Sequence, residues 1–385
     1  MFSRSFWQRY LGVFDSVRVI ARVRQIDADE PDEGWRRADG AGVEMIGLPD
    51  VAGLGQHLAK LLQMKRAVEG VIRPGDAVLG RAPSQETTLV LEHLPTAGYP
   101  FGLEVVADPY DVFSRGAVRH PVRPLLRWWS TRTLKRQCFE ACAAAYVTEA
   151  ALQRRYPTSP FAYRASYSSV ELDDDAFVDA PRVITAAPAE AKLLAVGSLQ
   201  QMYKGFDVLI DVAADLLRTN RPVRLRIVGE GRHRIDLERQ AAERGIADRV
   251  DFVGELPTGE PMRAEYDRAN LLVFPSRSEG LPRVLIEGMA RGVPCVASRI
   301  GGIPELLEDF SLVPPGDAQA LAAKLREVLA DPVRLSAMSA RNLAEARRYH
   351  ASELQPRRED FYRRLQELTR EWVRKRMRRH RRASQ

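Results

Sequence analysis

Short β-branched runs alternate with helix-period stretches twice along this chain of 385 residues, and this alternation restricts the fold more than any other feature. Strands interleaved with helices at this spacing form parallel α/β units. The first series opens with a helical stretch from Phe6 to Phe14. Strands follow at Val17–Val23, Ala77–Gly80, Phe101–Val106 and Ala144–Val147, with helical patterns over Gly55–Ala67 and Leu125–Ala143. From Glu171 to Ala191 the pattern lapses into Asp173-Asp174-Asp175, Pro181 and Pro188, the composition of a linker. A second series then sets strands at Lys192–Gly197, Leu225–Gly229, Val250–Val253, Leu271–Phe274 and Pro294–Ala297 among helices at Phe206–Arg218, Ile235–Arg244 and Val284–Arg291. The expected fold class is α/β, with two Rossmann-like doubly wound domains facing a cleft. Residues 1–175 form the first domain, 176–190 the linker and 191–350 the second domain. A doubly wound domain normally opens on a strand, and here a helix comes first. The first strand of the N-terminal domain and its Gly-rich turn are therefore expected to be missing, with the true start upstream of Met1.

Charge excludes one broad class. The formal charge is +7, but Phe361–Gln385 holds ten of the 58 basic residues and two of the 51 acidic ones. The first 360 residues then carry 48 basic against 49 acidic, so the body is electrically balanced. A nucleic-acid-binding domain carries its basic footprint on the folded body, and no nucleic-acid partner is expected. Apolar residues make up 45% and charged residues 28%, ordinary for a globular protein. Three cysteines make no disulfide framework and fit a reducing compartment. Cys138, Cys142 and Cys295 read as core residues. No run approaches the ~20 apolar residues of a membrane span, and Met1–Tyr10 lacks the apolar centre of a signal peptide.

The chemistry concentrates between Phe274 and Glu305. A strand ends at Phe274, a loop carries Ser276, Ser278, Glu279 and Gly280, and a helix begins about Pro282. Gly280 lets backbone approach a ligand. The free amides of Leu281 to Val284 point out of the helix end, where they can hold a diphosphate. Glu287 lies a little over one turn into that helix, so two carboxylates can border one anion-binding helix end. Taken alone, both would be solvated side chains.

This segment resembles the EGxPxxxxE signature of retaining GT-B glycosyltransferases of family four, the group-one glycosyl transferases. Gly197-Ser198-Leu199 leading to Tyr203-Lys204-Gly205 is similar to that family's phosphate-binding loop. Val228-Gly229-Glu230-Gly231 and Phe252-Val253-Gly254-Glu255-Leu256 resemble its nucleotide-lining turns. The first half matches more loosely, at Gly75–Ser84, which includes Arg81, and at Ala107-Asp108-Pro109-Tyr110-Asp111. The resemblance implies that Lys204, one of seven lysines, meets the donor diphosphate, and that Glu279 accepts from the sugar hydroxyls. The catalytic pair is thus Lys204 and Glu279. Glu287 is implied to hold the ribose, Glu230 and Leu256 to lie near the base, and Gly280, Leu281 and Pro282 to line the phosphates. Ser198 belongs to the donor loop but stands where many relatives carry Arg. Arg81 and Asp108 are the acceptor-side candidates, Asp108 having turn formation as its plainer reading.

The implied activity is transfer of a hexose from a nucleoside-diphosphate sugar to a glycan or lipid-linked hydroxyl, in surface polysaccharide biosynthesis. No cofactor and no metal are expected, and Asp173–Asp175 reads as a solvated run. Two alternatives stand beside this: a catalytically weak GT-B partner or scaffold, and a sugar-phosphate synthase or phosphorylase on the same fold. Residues 351–373 suit a helix with one apolar face, which in GT-B enzymes packs back on the first domain. Residues 374–385 form a basic tail, a solvated extension that could draw the protein to an anionic membrane surface. The expected location is cytoplasmic, peripheral at the inner face of the plasma membrane.

Overall fold

The computed structural model describes residues 4–24, 37–50, 53–114 and 121–383. The first half runs α1 (Arg4–Leu11), β1 (Val17–Val23), β2 (Val43–Pro49), α2 (Gly53–Val68), β3 (Val78–Ala82), α3 (Gln85–Glu92) and β4 (Phe101–Val105). It continues through α4 (Pro109–Val112), α5 (Arg123–Glu140), β5 (Ala143–Tyr146), α6 (Ala151–Arg155) and β6 (Tyr163–Ser166). The second half runs β7 (Ala191–Val196), α7 (Phe206–Arg218), β8 (Val223–Val228), α8 (Arg234–Glu243), β9 (Val250–Gly254), α9 (Glu260–Arg268), β10 (Leu271–Phe274) and α10 (Arg283–Ala290). After β11 (Cys295–Ser298), α11 (Ile303–Leu306) and β12 (Leu312–Val313), three helices close the chain: α12 (Ala318–Leu329), α13 (Pro332–Ala346) and α14 (Ala351–Ala383).

All ladders between these strands are parallel. The second-half sheet is ordered β12-β11-β10-β7-β8-β9. Its strand direction of growth reverses between β7 and β10, so the loops leaving their carboxyl ends diverge and open a crevice. Buried on both faces, these strands read as unbroken apolar runs such as Leu271–Phe274. Helix α7 turns Leu209, Ile210, Val212, Ala213 and Leu216 into that core.

The first-half sheet is interrupted. β3-β4-β5-β6 form one unit and β1-β2 another, with no ladder between β1 and β3 among the described residues. Arginine side chains cross the break. Arg18 on β1 reaches the Asp76 carboxylate and the Val71 carbonyl ahead of β3. Arg22 reaches Glu86 and Gln85 at the start of α3. Below them Leu48, Met64, Val68 and Leu89 make a separate small core.

Helix α14 lies across the first half. Phe361, Tyr362 and Leu365 are fully buried, the Tyr362 ring sits 4.7 Å from Tyr10 of α1, and Gln366 donates to the Val13 carbonyl at 3.1 Å. Arg358, also fully buried, donates to the carbonyls of Ser168 and Val170. The helix continues through the basic segment to Ala383, with Arg374, Lys375, Arg378 and Arg379 exposed and Arg376 bonded to the Thr96 hydroxyl.

Three departures from the sequence reading have physical causes. Strands β2 and β6 carry Gly47 and Arg164 within short runs, which hides their period. Helices α3, α4 and α6 are only eight, four and five residues long, too short for a helical repeat to register. α1 stops at Leu11, short of Phe14.

Candidate active site

The crevice between β7 and β10 is built by two loops that grip each other. After β7 the chain turns through Met202–Lys204 into Gly205, whose φ of 76° starts α7. A side chain at Gly205 would strike the Pro275 carbonyl oxygen at 2.2 Å, so only glycine lets the two loops meet. Arg277 fixes the contact from the other side. Its guanidinium pairs with both Asp207 oxygens at 2.9 and 2.8 Å and donates to the Met202 carbonyl at 2.8 Å. Ser276, fully buried, places its hydroxyl 2.7 Å from Glu279 Oε1 and 3.2 Å from the Tyr203 carbonyl.

The result is a lysine–carboxylate pair, Lys204 Nζ to Glu279 Oε1 at 2.7 Å, with side chains only 15% and 10% exposed. Burial pulls the lysine toward neutrality, but the Glu279 carboxylate outweighs it and leaves the Lys204 pKa raised. Lys204 is therefore a fixed ammonium. The aromatic faces of Tyr203 and Phe274 lie 5.1 and 5.3 Å from Nζ.

Helix α10 starts beside this pair. Its capping position is Pro282, in extended geometry with no side-chain cap; the Leu285 amide bonds the Pro282 carbonyl, and the Arg283 and Val284 amides at the helix start are left for a ligand. Arg283, the first helical residue, is exposed and lies close enough to Lys204 and Glu287 to bias the charge of both. The sequence reading gave this second cation no role, since a lone arginine at a helix start carries no sign of what faces it. Glu287 accepts from the Tyr266 hydroxyl of α9 at 3.0 Å, and burial raises its pKa.

The remaining donor-side candidates lie on the turns that follow β7, β8, β9 and β10. Ser198 is exposed and its hydroxyl accepts from the Gln200 amide at 3.2 Å. Glu230 pairs with Arg234 at 2.8 Å, a bond that lowers its pKa. Leu256 packs half-buried against the main apolar cluster. Gly280, Leu281 and Pro282 are buried, and a side chain at Gly280 would meet the Val106 carbonyl of the first half at 2.3 Å. The two halves thus close on each other at this loop.

The acceptor-side candidates are committed to structure. Arg81 holds the buried Glu104 carboxylate at 2.7 Å. Asp108 is 4% exposed, caps α4 through the Tyr110 amide at 2.9 Å, accepts from the Tyr156 hydroxyl and pairs with Arg155. Neither presents an unengaged polar group to the cleft. A shallow pocket lined by Arg9, Arg81, Glu104, Tyr167 and Ser169 takes its lining from the first half, including Val106, whose carbonyl faces Gly280.

A further group joins the halves. Glu305 on α11 accepts from the amides of Glu149 (2.6 Å), Ala150 (3.0 Å) and Ala151 (2.7 Å) at the start of α6. Its Gly-Gly-Ile-Pro-Glu setting was visible in sequence, but nothing local pointed to a partner some 150 residues away. Asp174 and Asp175 of the acidic run pair with His350 and Arg263 at the surface. Cys138 and Cys295 are fully buried, and burial raises both thiols.

Residues 179–348 match the family model of glycosyl transferases group 1. Protein CapJ of Staphylococcus aureus is 24% identical over 338 residues, covering 86% of this chain and 82% of that protein. The GDP-mannose-dependent alpha-(1-6)-phosphatidylinositol monomannoside mannosyltransferase of Mycolicibacterium smegmatis is 36% identical over 145 residues. That match spans 35% of this chain and only 38% of the mannosyltransferase. Sucrose-phosphate synthase from Thermosynechococcus elongatus superposes with a TM-score of 0.69 at 22% identity, over 90% of this chain and 88% of that one, and shows the shared fold. Residues 179–348 thus carry the pattern of the glycosyl transferases of group 1, in a chain that shares the GT-B fold.

Proposed function

We propose that this is a retaining glycosyltransferase that moves a hexose from a nucleoside-diphosphate sugar to a hydroxyl of a glycan or lipid-linked acceptor in surface polysaccharide synthesis. The observation that carries the reading is the buried Lys204–Glu279 pair at the β7–β10 crevice beside the uncapped start of α10. A diphosphate needs several positive groups around it, and Lys204, the α10 amides and the Arg283 guanidinium supply them. Arg283 then makes up for the charge that Ser198 does not provide. In the transfer the bond from C1 to the diphosphate oxygen breaks and the acceptor oxygen bonds C1 on the same face. The acceptor's proton leaves with the diphosphate, whose growing charge Lys204 stabilises. Glu279 orients the sugar through its hydroxyls, and Glu287 takes the ribose.

The mannosyltransferase that matches part of this chain is GDP-mannose-dependent and acts on a phosphatidylinositol mannoside by name, which supports a nucleotide-sugar donor and a lipid-linked acceptor. No helix among the described residues is long and apolar enough to cross a membrane. We place the protein in the cytoplasm, at the inner face of the plasma membrane, with the basic end of α14 contributing attraction.

The test is a panel of UDP-, GDP- and ADP-sugars scored by thermal shift, followed by nucleotide release and the anomeric configuration of the product. Stabilisation by one donor, with release abolished in Lys204→Ala and Glu279→Ala and KM raised about tenfold in Arg283→Ala, is the expected result. Failure of every donor to bind would end the reading. The interrupted first-half sheet favours one other reading, a weakened partner subunit. Donor binding without any nucleotide release would select it.

A further inference from the structure

Helix α5 presents the wrong face to water. At about 100° per residue, Leu134, Gln137 and Cys138 point inward and are buried. The opposite arc, about a third of the circumference, holds Leu125, Trp128 and Trp129 toward one end and Phe139 at the other, exposed by 61%, 60%, 50% and 60%. Arg132, Lys135 and Arg136 lie exposed between them on the same arc. The helix carries five basic residues against the single acidic Glu140.

A solvated face would carry polar residues here, and an obligate protein interface would be depleted of lysine. Indole rings interleaved with cations suit a different medium. Tryptophan favours the headgroup level of a bilayer, and Lys and Arg bind anionic headgroups. We propose that the outward face of α5 is a membrane-binding surface that takes an anionic lipid bilayer, with Trp128, Trp129 and Leu125 entering the headgroup boundary. Arg132, Lys135 and Arg136 contact the lipid phosphates.

The placement gives the surface a use. Arg127 of α5 stacks 3.4 Å from the Tyr110 ring and bonds the Tyr110 carbonyl, and Arg123 bonds the Phe113 carbonyl. These residues follow Val106, whose carbonyl faces Gly280 across the cleft. One end of the lipid-facing helix therefore stands at the cleft mouth on the first-half side, where a lipid-linked acceptor would arrive. That link to the acceptor rests on the function proposed above; the membrane contact does not.

The full chain is sedimented with phosphatidylcholine vesicles, with and without phosphatidylglycerol, while tryptophan emission is recorded. The expected result is binding and a blue shift only with phosphatidylglycerol. Arg132→Gln/Lys135→Gln/Arg136→Gln should weaken partitioning about a hundredfold, at roughly fivefold per charge. Trp128→Ser/Trp129→Ser should lose the shift and at least about tenfold in binding. Both variants should keep the wild-type melting temperature, and a variant with Arg374, Lys375, Arg378 and Arg379 changed to Gln should weaken binding less than either and keep the blue shift. Wild-type binding by both α5 variants, or no vesicle binding by the wild type, overturns the proposal. So does a solution dimer that the tryptophan variant dissociates, since the face would then be a protein interface. Each readout is independent of turnover, so inactivity toward nucleotide sugars would leave this result standing.

Discussion

Replacing Glu305 by alanine removes the carboxylate that joins α11 to the start of α6. Three amide donors, those of Glu149, Ala150 and Ala151, converge on its two oxygens at 2.6 to 3.0 Å. Hydrogen bonds to a charged acceptor contribute about 1.5–3 kcal/mol each. They do not sum here, because the Glu149 amide is exposed and water can replace the lost acceptor. The net loss is then about 2 kcal/mol, or about thirtyfold in the balance between closed and parted halves. Arg348 still reaches Glu149 at 2.8 Å in the variant, so closure is weakened rather than abolished. Spin labels at Phe161→Cys in the first half and Val333→Cys in the second read the separation directly, since those positions are 98% and 79% exposed. Glu305→Ala should give a longer, broader distance distribution than the same labelled pair with Glu305 intact. Glu305→Gln, which keeps one acceptor oxygen, should fall between. An unchanged distribution in Glu305→Ala would show that the apolar contacts alone hold the halves together and would refute the argument.

Two other substitutions follow from the same contacts. Ser276→Ala removes the hydroxyl that orients Glu279 at 2.7 Å and should lower kcat about tenfold with little change in KM; equal losses in both would mean that Ser276 serves folding of the loop instead. Asp111 shares the single Arg155 guanidinium with Asp108, and burial followed by the Asp108 charge pushes its carboxyl up to about 6. The folded state thus keeps a proton that the unfolded chain has lost above about pH 4, so wild-type stability falls as pH rises from about 4 to 6 and levels off beyond. Asp111→Asn should stabilise the protein by about 2–3 kcal/mol at pH 7.5 and by almost nothing at pH 4, read as a melting-temperature difference that grows with pH; a constant difference would contradict the shared-guanidinium account.

How much of this was legible in the sequence differs between the halves. In the second, the strands Leu271–Phe274 and Val250–Gly254 and the helix Phe206–Arg218 fall within a residue of the expected bounds. Their apolar runs are continuous and their turns are marked by glycine. The pairing of Lys204 with Glu279 is a consequence of the same alternation: residues after β7 and after β10 must meet once those strands are neighbours. The first half was harder because its polar contacts are non-local. Asp108 looked like a cleft residue beside a proline turn, yet its partners Tyr156 and Arg155 lie nearly fifty residues on. Glu305 and Arg283 were missed for a related reason. A charged side chain on a surface turn carries no sign of what the fold brings to it.

The interrupted sheet shows where non-locality matters most. Strands normally share a ladder, and β1 and β3 do not, so the first half must be joined by other means. Glu104, in the middle of β4 and 3% exposed, supplies one. Its carboxylate takes the Arg81 guanidinium from β3 at 2.7 Å, the Tyr10 hydroxyl from α1 at 3.3 Å, the Tyr167 hydroxyl after β6 at 2.8 Å and the Tyr362 hydroxyl from α14 at 3.0 Å. Burial beside that carboxylate raises all three phenols, which keeps each protonated as a hydrogen-bond donor around neutral pH. One guanidinium and three phenols satisfy its oxygens at that depth, and in return it ties the two terminal helices to the sheet. The cavity beside Glu104 and Arg81 lies at the ends of β4 and β5 that face the second half. Helix α14 thus does more than cover a surface: it completes the polar centre of a domain whose sheet does not close by itself.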